Sequence, residues 1–504
     1  MNKQHLLQLS SIFFLSSLIF LFGLNKINLI TADIGRHLIN GKLLAEQHTL
    51  VSNNHYSYTM QDQLVTNHHW LSGVIFYYIF QLAGFNGLSI FYAAILTTAF
   101  IFFLLIGKSR SSWWPLVLTT VLSLPLIGLR AEVRPEVFSL LFLSLEIWLL
   151  LRIVDKRQFK WSWWLVFGLI QVLWVNLHLF FFLSWGVVGA MLIQQLVLKK
   201  QPAIKFLLIL LAVIVAASFI SPFGYKSVIE PLFIFQDFGY QLAENQTLIF
   251  MIQRFGILRY WHGLVIAILG LGAGGYLIWR RRFKHLFAAL LLISFSIFAL
   301  VMNRFVPMMG LMMVGFGSWV VGDLVSKNEL VEKSLFPFLS VFLLLVFMST
   351  KSYLSPLNNG FGVGLAPGVE GSAQFFKQHN LSGSIFNNYD IGGYLIHQLF
   401  PEQRVFIDNR PEAYSTEFFQ QYIAAQEDEG SWKQLDEKYN FETIFFYRHD
   451  LTPWAQPFLI ARIKDEIWVP VYVDDYVLIL VKDNEHSQSV VKEFKLAPET
   501  FVIN

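Results

Sequence analysis

"HHWLSGVIFYYIFQLAG", residues 68 to 84, is apolar enough to cross a bilayer, and whether it does so sets the sidedness of every later loop. Gly84 and Asn86 leave almost no room to turn before the next apolar run, at 86–106. A full crossing here would send "WRRRFK", 279 to 284, outside the cytoplasm. If 68–84 instead lies in the interface or re-enters, the basic residues sort themselves. Lys108 and Arg110, then Arg152, Lys156, Arg157 and Lys160, then Lys199, Lys200 and Lys205 all fall on one side. Arg280, Arg281, Arg282 and Lys284, followed by Lys327 and Lys333, join them. Short cytoplasmic loops collect Lys and Arg. The segment is therefore read as peripheral, with the N-terminus in the cytoplasm.

The remaining apolar runs predict eleven spans, near 6–24, 86–106, 113–129, 136–151, 161–176, 178–198, 206–220, 261–279, 286–302, 305–323 and 335–350. Composition agrees: the chain has 504 residues, 55% hydrophobic and only 14% charged, with 50 Phe and 15 Trp. Such a low charge fraction suits lipid as solvent. No small-x-small cleavage site follows the first run, so it is read as an uncleaved helix. The net charge of +3 carries less information than its placement, and there is no polybasic arm, so no nucleic-acid partner is expected. The absence of cysteine excludes disulfides, thiolate catalysis and cysteine-ligated metals.

Parity then puts 25–85, 221–260 and everything after 351 outside. "LSPLNNGFGVGLAPG", 354 to 368, reads as part of a linker, assigned to 351–365. From 366 to 504 the chain turns polar. "SIFNN", "RVFIDNR", "ETIFFYRH" and "WVPVYVDDYVLILVKD" read as strands, and "IGGYLIHQLF", "TEFFQQYIAAQ" and "WKQLDEKYN" as helices. The expected architecture is a polytopic α-helical membrane domain over 1–350, with a first outer loop at 25–85. A small extracytoplasmic α/β domain follows.

Charged groups at membrane depth need a partner or a task. Four clusters stand out on the outer side. In "TADIGRHLINGKLLAEQ", 31 to 47, Asp33, Arg36 and His37 open an amphipathic helix. Asp33 is either its N-cap or a base for an incoming hydroxyl or amine. In "QDQLVTNHHW", His68 and His69 are either interfacial polar residues beside a Trp anchor or metal ligands, although adjacent side chains diverge on a helix. "LRAEVRPEVF", 129 to 138, crowds Arg130, Glu132, Arg134 and Glu136 at one junction. These pair among themselves, or the arginines hold a phosphate, whose geometry guanidinium matches. Last, "LWVNLHLFF" and "MNRFVP" place Asn176, His178, Asn303 and Arg304 at turns that hardly leave the membrane. Arg304 either snorkels to headgroups or meets an anionic lipid. In the tail, Asp408 and Arg410 end an apolar run, as a fold clamp or as acceptor-binding groups.

With these clusters in place, the chain resembles the multi-spanning GT-C glycosyltransferases, the fold of protein O-mannosyltransferases and of the transferase that adds aminoarabinose to lipid A. In that superfamily an acidic residue follows the first helix, and a second polar motif follows the third span. More narrowly, the chain looks like a group of bacterial GT-C-like membrane proteins sharing stretches similar to "NHHWLSGVIFYYIFQLAGFNGL", "WVNLHLFF" and "FNNYDIGGYLIHQLFPEQRVFIDNRPEAY". The resemblance covers nearly the whole chain and implies an inverting transferase. It would use a polyprenyl-phosphate-linked sugar and an acceptor at the outer face of the cytoplasmic membrane. It implies Asp33 as general base, Arg134 on the donor phosphate, and Glu132 or Glu136 assisting. Arg304 is added by position alone. The family's paired acidic motif is a single Asp33 here, and glutamates replace the second-motif aspartate. A divalent cation is left open, since no ligand spacing demands one. Two other functions fit the same residues: a lipid-linked saccharide transporter or flippase, and a non-catalytic envelope assembly protein.

Overall fold

The computed structural model describes residues 3–128, 132–233, 239–240, 242–281, 283–324, 338–339, 341–346, 348–349 and 360–501. Arg130, part of the span expected at 335–350 and most of the linker expected at 351–365 lie outside the described residues. Contacts divide the chain into two compact units. One is Met1–Lys26, Phe85–Phe235 and Leu242–Gly364; the other is Ile27–Gly84, Gln236–Gln241 and Leu365–Asn504.

The first unit is helical. Among the described residues, Trp70–Lys108, Glu136–Asp155, Leu179–Val197, Leu258–Arg281 and Asn303–Leu324 are long and apolar enough to cross a membrane. Leu9–Gly23, Trp113–Ile127, Ser162–Leu177, Gln201–Ala217 and Leu286–Val301 are shorter apolar helices. Their surfaces follow from the solvent. In Ser162–Leu177 the exposed stripe is Leu165, Leu169 and Leu173, while Phe167, Ile170 and Trp174 are buried on the other side. A helix in water would expose polar groups on that stripe; in a bilayer leucine is the natural lipid face. Asn303–Leu324 is buried along nearly its whole length, with Gly310 set close against Ser123, Leu126 and Ile127. The chain is a multi-pass membrane protein.

Trp70–Lys108 runs for 39 residues. A straight helix of that length would span about 58 Å, roughly twice the hydrocarbon thickness. It is broken at Gly84, whose φ of 59° and ψ of −156° are open essentially to glycine alone. The half before Gly84 belongs to the second unit, and the half after it to the first. Ser89, just past the break, donates through Oγ to the Asn25 carbonyl at 3.1 Å, and accepts from the Gly364 amide at 3.2 Å. The chain therefore leaves the helical unit after Lys26 and returns at Phe85 on the same end of it.

Hydrogen bonds sort the other loops of this unit into two ends. At one, Arg110 donates to both carboxylate oxygens of Asp155 at 3.2 and 3.1 Å and meets His285, while Arg281 pairs with Asp323. At the other, Asn176 donates to the Ile220 carbonyl at 2.9 Å, and Arg134 and Arg304 meet Glu244. Successive helices alternate between these ends.

In the second unit a four-stranded sheet is formed by β1 (Ser384–Asn387), β2 (Phe441–Tyr447), β3 (Trp468–Val473) and β4 (Val477–Lys482), in the order β1-β2-β4-β3. β1 and β2 are parallel, and the other pairs antiparallel. A parallel neighbour requires a crossover, supplied by helices Gly392–Leu399, Thr416–Glu427 and Glu429–Tyr439. The expected strand "RVFIDNR" is not a ladder strand. Its backbone is satisfied by side chains instead: Asn387 accepts from the Phe406 amide at 2.9 Å and donates to the Ile407 carbonyl at 2.7 Å. The Tyr414 hydroxyl accepts from the Asp408 amide at 2.9 Å. A side-chain amide there copies a peptide group, which a hydropathy pattern cannot register.

Helix Ile34–Gln47 packs across the start of the 70–84 segment and across Gly392–Leu399. Glycines allow both approaches. A Cβ on Gly35 would stand 2.6 Å from the Gly393 carbonyl oxygen, and one on Gly73 would stand 2.8 Å from that of His37. Residues 51–67 then run along the tail, where Ser57 bridges Val405 and Tyr58 donates to the Ile385 carbonyl at 2.9 Å.

His397 is enclosed by this packing, edge-on to Phe80 at 6.1 Å. Burial, reinforced by Lys377 and Lys42, lowers its pKa from 6.5 to about 4. Between those values the unfolded chain takes up a proton that the folded one refuses. Its contribution to stability is thus complete above pH 6.5 and is lost as pH falls towards about 4. Thermal unfolding of the full chain in detergent should show this acid loss, and His397→Gln should flatten it; an unchanged slope would refute the assignment.

Candidate functional site

Each unit carries its own polar cluster. In the helical unit, Pro135 precedes helix Glu136–Asp155, and its ring suits the start of a helix. The residue before it, Arg134, projects from the loop. Its Nη2 lies 3.0 Å from Glu132, and its Nη1 lies 3.2 Å from Oε2 of Glu244. The other oxygen of Glu244, Oε1, pairs with Arg304. Two arginines far apart in sequence thus share one carboxylate. Arg304 is 7% exposed and stands over the Phe180 ring at 5.7 Å. An arginine so deeply placed requires a counter-ion, because an isolated buried charge is very costly.

Other predicted residues of this unit bond to neighbouring groups. Asn176 closes its helix end by donating to the carbonyls of Val172 at 2.7 Å and Ile220. His178 meets Ser139 at 2.8 Å and accepts from the Phe180 amide at 3.3 Å, capping the turn Leu179–Phe182. Trp174 also donates to Ser139, at 2.7 Å. Glu136 is buried in the first turn of its helix, where the helix dipole favours a carboxylate.

In the second unit, Asp33 precedes helix Ile34–Gln47 but makes no side-chain cap hydrogen bond. Its carboxylate accepts instead from the Asn409 amide. Arg36, one turn along, donates from Nε to Oδ1 of the same Asn409 at 3.2 Å. Asn409 bridges the carboxylate and the guanidinium. His37, almost fully buried, meets His69 edge-on at 5.5 Å, and the helix crossing makes this neighbour pair, which adjacency in "HH" does not. His68 lies beside them on the chain, half-buried. Among the described residues, no group of three or more His, Asp or Glu side chains could hold a metal ion.

Asp408 and Arg410 flank Asn409 and face the opposite way, as alternation in an extended segment dictates. Arg410 grips both oxygens of Asp408 at 2.7 Å and donates to Asn54 at 2.6 Å. Its guanidinium lies over Tyr56 at 5.2 Å, and Tyr414 adds a hydrogen bond to Asp408 at 3.0 Å. Asp408 is fully buried and Arg410 nearly so. This pair is a clamp between the tail and the 51–67 segment.

Sequence reading missed Asn409 and Glu244. Alternation offered a signal for the first: if 408 and 410 turn inward, 409 points away. Nothing local marks Glu244, because only tertiary packing brings it between two arginines.

Compared with solved structures, the chain is similar to the apo crystal structure of the oligosaccharyltransferase from Archaeoglobus fulgidus. The TM-score is 0.55 with 12% identity, over 87% of this chain and 69% of that one. It is also similar to the archaeal oligosaccharyltransferase AglB from the same organism, solved with an inhibitory peptide and a dolichol-phosphate. There the TM-score is 0.54 with 13% identity, over 94% of this chain and 74% of that one. The likeness to both is one of fold. No family model matches the sequence, and no curated protein matches it.

If Asp408 and Arg410 form a clamp, Arg410→Ala should strand a buried carboxylate and cost about 3–5 kcal/mol. The full chain should then lose its cooperative thermal transition or aggregate, whereas Asn409→Ala should leave the transition within about 1 kcal/mol of wild type. Equal losses would refute the division of roles.

Proposed function

We propose that this protein is an inverting glycosyltransferase moving a sugar from a polyprenyl-phosphate carrier to an acceptor at the outer face of the cytoplasmic membrane. The observation that carries the reading is the convergence of Arg134 and Arg304 on one carboxylate in a GT-C-fold membrane unit. Guanidinium groups near a membrane surface suit a phosphorylated lipid. The fold neighbour AglB was solved with a dolichol-phosphate, which supports a lipid-phosphate donor here.

In this reading the acceptor hydroxyl or amine attacks the anomeric carbon as the bond from that carbon to the phosphate oxygen breaks. The bonding electrons leave with the polyprenyl phosphate, and the acceptor proton passes to Asp33. Arg134 and Arg304 stabilise the charge growing on the departing phosphate. Asn409 and Arg36 are positioning residues for Asp33, since the amide that Asp33 accepts from is itself fixed by Arg36. In this reading the basic loop ends around Arg110, Arg281 and His285 lie on the cytoplasmic side, which the Lys and Arg bias of short inner loops supports. Lipid-linked sugars fit the other side, where nucleotide sugars are not available. The first outer loop and the α/β tail would then both be extracytoplasmic.

The test is a transfer assay with radiolabelled polyprenyl-phosphate sugars and envelope extracts, using the full-length protein. Asp33→Asn should lower turnover by about 100-fold or more while donor binding stays within about threefold. Arg134→Ala and Arg304→Ala should each weaken donor binding. Retention of turnover by Asp33→Asn would exclude Asp33 as the base, whereas donor binding without any transfer by the wild type would leave carriage of the lipid-linked sugar as the function.

A further inference from the structure

Glu244 holds the position that an anionic ligand of two arginines would take. Its two oxygens are divided between them, Oε2 to Arg134 and Oε1 to Arg304. Two oxygens of a phosphate would divide in the same way. The carboxylate is delivered by the turn Ala243–Asn245, and the next residue, Gln246, accepts through its carbonyl from the Asn303 amide at 2.9 Å. The turn is therefore pinned directly beside Arg304. Past it, Thr247 accepts from the Phe250 amide at 3.1 Å and starts helix Leu248–Phe255.

Exposure separates a fixed counter-ion from an exchangeable one. The Arg304 side chain is 8% exposed, but that of Glu244 is 30% exposed and that of Arg134 is 23%. The carboxylate sits on the open side of the pair. Arg304 also keeps a buried Nε with no acceptor among the described residues, so its donor capacity is not used up. With Glu132, Arg134, Glu244 and Arg304 all ionised, these four groups together carry no net charge. For a phosphate to take both arginines, Glu244 must withdraw.

We infer that Glu244 is a resident carboxylate stand-in that occupies the phosphate site until an anionic polyprenyl phosphate displaces it from Arg134 and Arg304. This rests on the reading of those arginines as phosphate ligands. Glu244 sets specificity by competition: a ligand must supply both charge to replace the carboxylate and a lipid tail to hold it there. When it withdraws, Arg134 retains Glu132, while Arg304, the more buried of the two, gives up the carboxylate it pairs with.

The test is binding of farnesyl phosphate to the full-length protein in lipid nanodiscs by calorimetry, with inorganic phosphate and farnesol as parallel probes. Glu244→Gln keeps the size and removes the competing charge, so farnesyl phosphate should bind about tenfold tighter than to wild type. Glu244→Asp, too short to reach both arginines, should tighten it to a lesser degree. It also serves if the glutamine variant folds poorly. Arg304→Ala should abolish the gain in the Glu244→Gln background. Unchanged or weaker binding to both Glu244 variants, with wild type still binding, would overturn the stand-in and leave the donor reading intact. Failure of all forms to bind farnesyl phosphate would remove the donor reading itself. Equal affinity for inorganic phosphate would overturn the lipid class.

Discussion

The break at Gly84 organises this molecule. One continuous helix over 70–108 would be about twice as long as a bilayer is thick. The glycine conformation divides it into a segment that packs with Ile34–Gln47 and one that enters the helical unit. Ser89, hydrogen-bonded to Asn25 and to Gly364, fixes the re-entry point beside the exit point. Every later loop inherits its end from that return. Arg134, Glu244 and Arg304 share one end for this reason, and Arg110, Asp155 and His285 share the other.

Both polar clusters follow one design, in which a single side chain joins two charged groups from distant parts of the chain. Glu244 joins Arg134 to Arg304, and Asn409 joins Asp33 to Arg36. Each linker is short and comes from a pinned segment, so its partners lose little freedom on meeting it. The Asp408–Arg410 pair is different in kind. It is sealed from solvent, fully hydrogen-bonded and braced by Tyr56 and Tyr414, as a structural ion pair must be to offset its desolvation. Three neighbouring residues thus serve two purposes, because an extended backbone sends alternate side chains to opposite sides.

The same contrast separates the histidines and the asparagines. His178 and Asn176 close helix ends at a tight turn, where backbone groups left inside an apolar surround would otherwise lack partners. His37 and His69 meet only because glycines let two helices cross closely. Asn387 stands in for a strand partner and holds the Phe406–Ile407 backbone without a ladder.

The sequence by itself determined what hydropathy and charge can encode. Long apolar runs marked a multi-pass membrane protein, and alternation with turn residues marked a small sheet domain in the tail. It also singled out Asp33, Arg134 and Arg304, since charges beside apolar runs are conspicuous. Only the tertiary structure decided what those charges touch. That Asp33 turns from its own helix to Asn409, that "RVFIDNR" is held by side chains, and that Glu244 divides itself between two arginines all depend on contacts between residues far apart in the chain. Such pairings leave no local period or composition to read, because the energy that selects them arises only once burial has removed water as the competing partner.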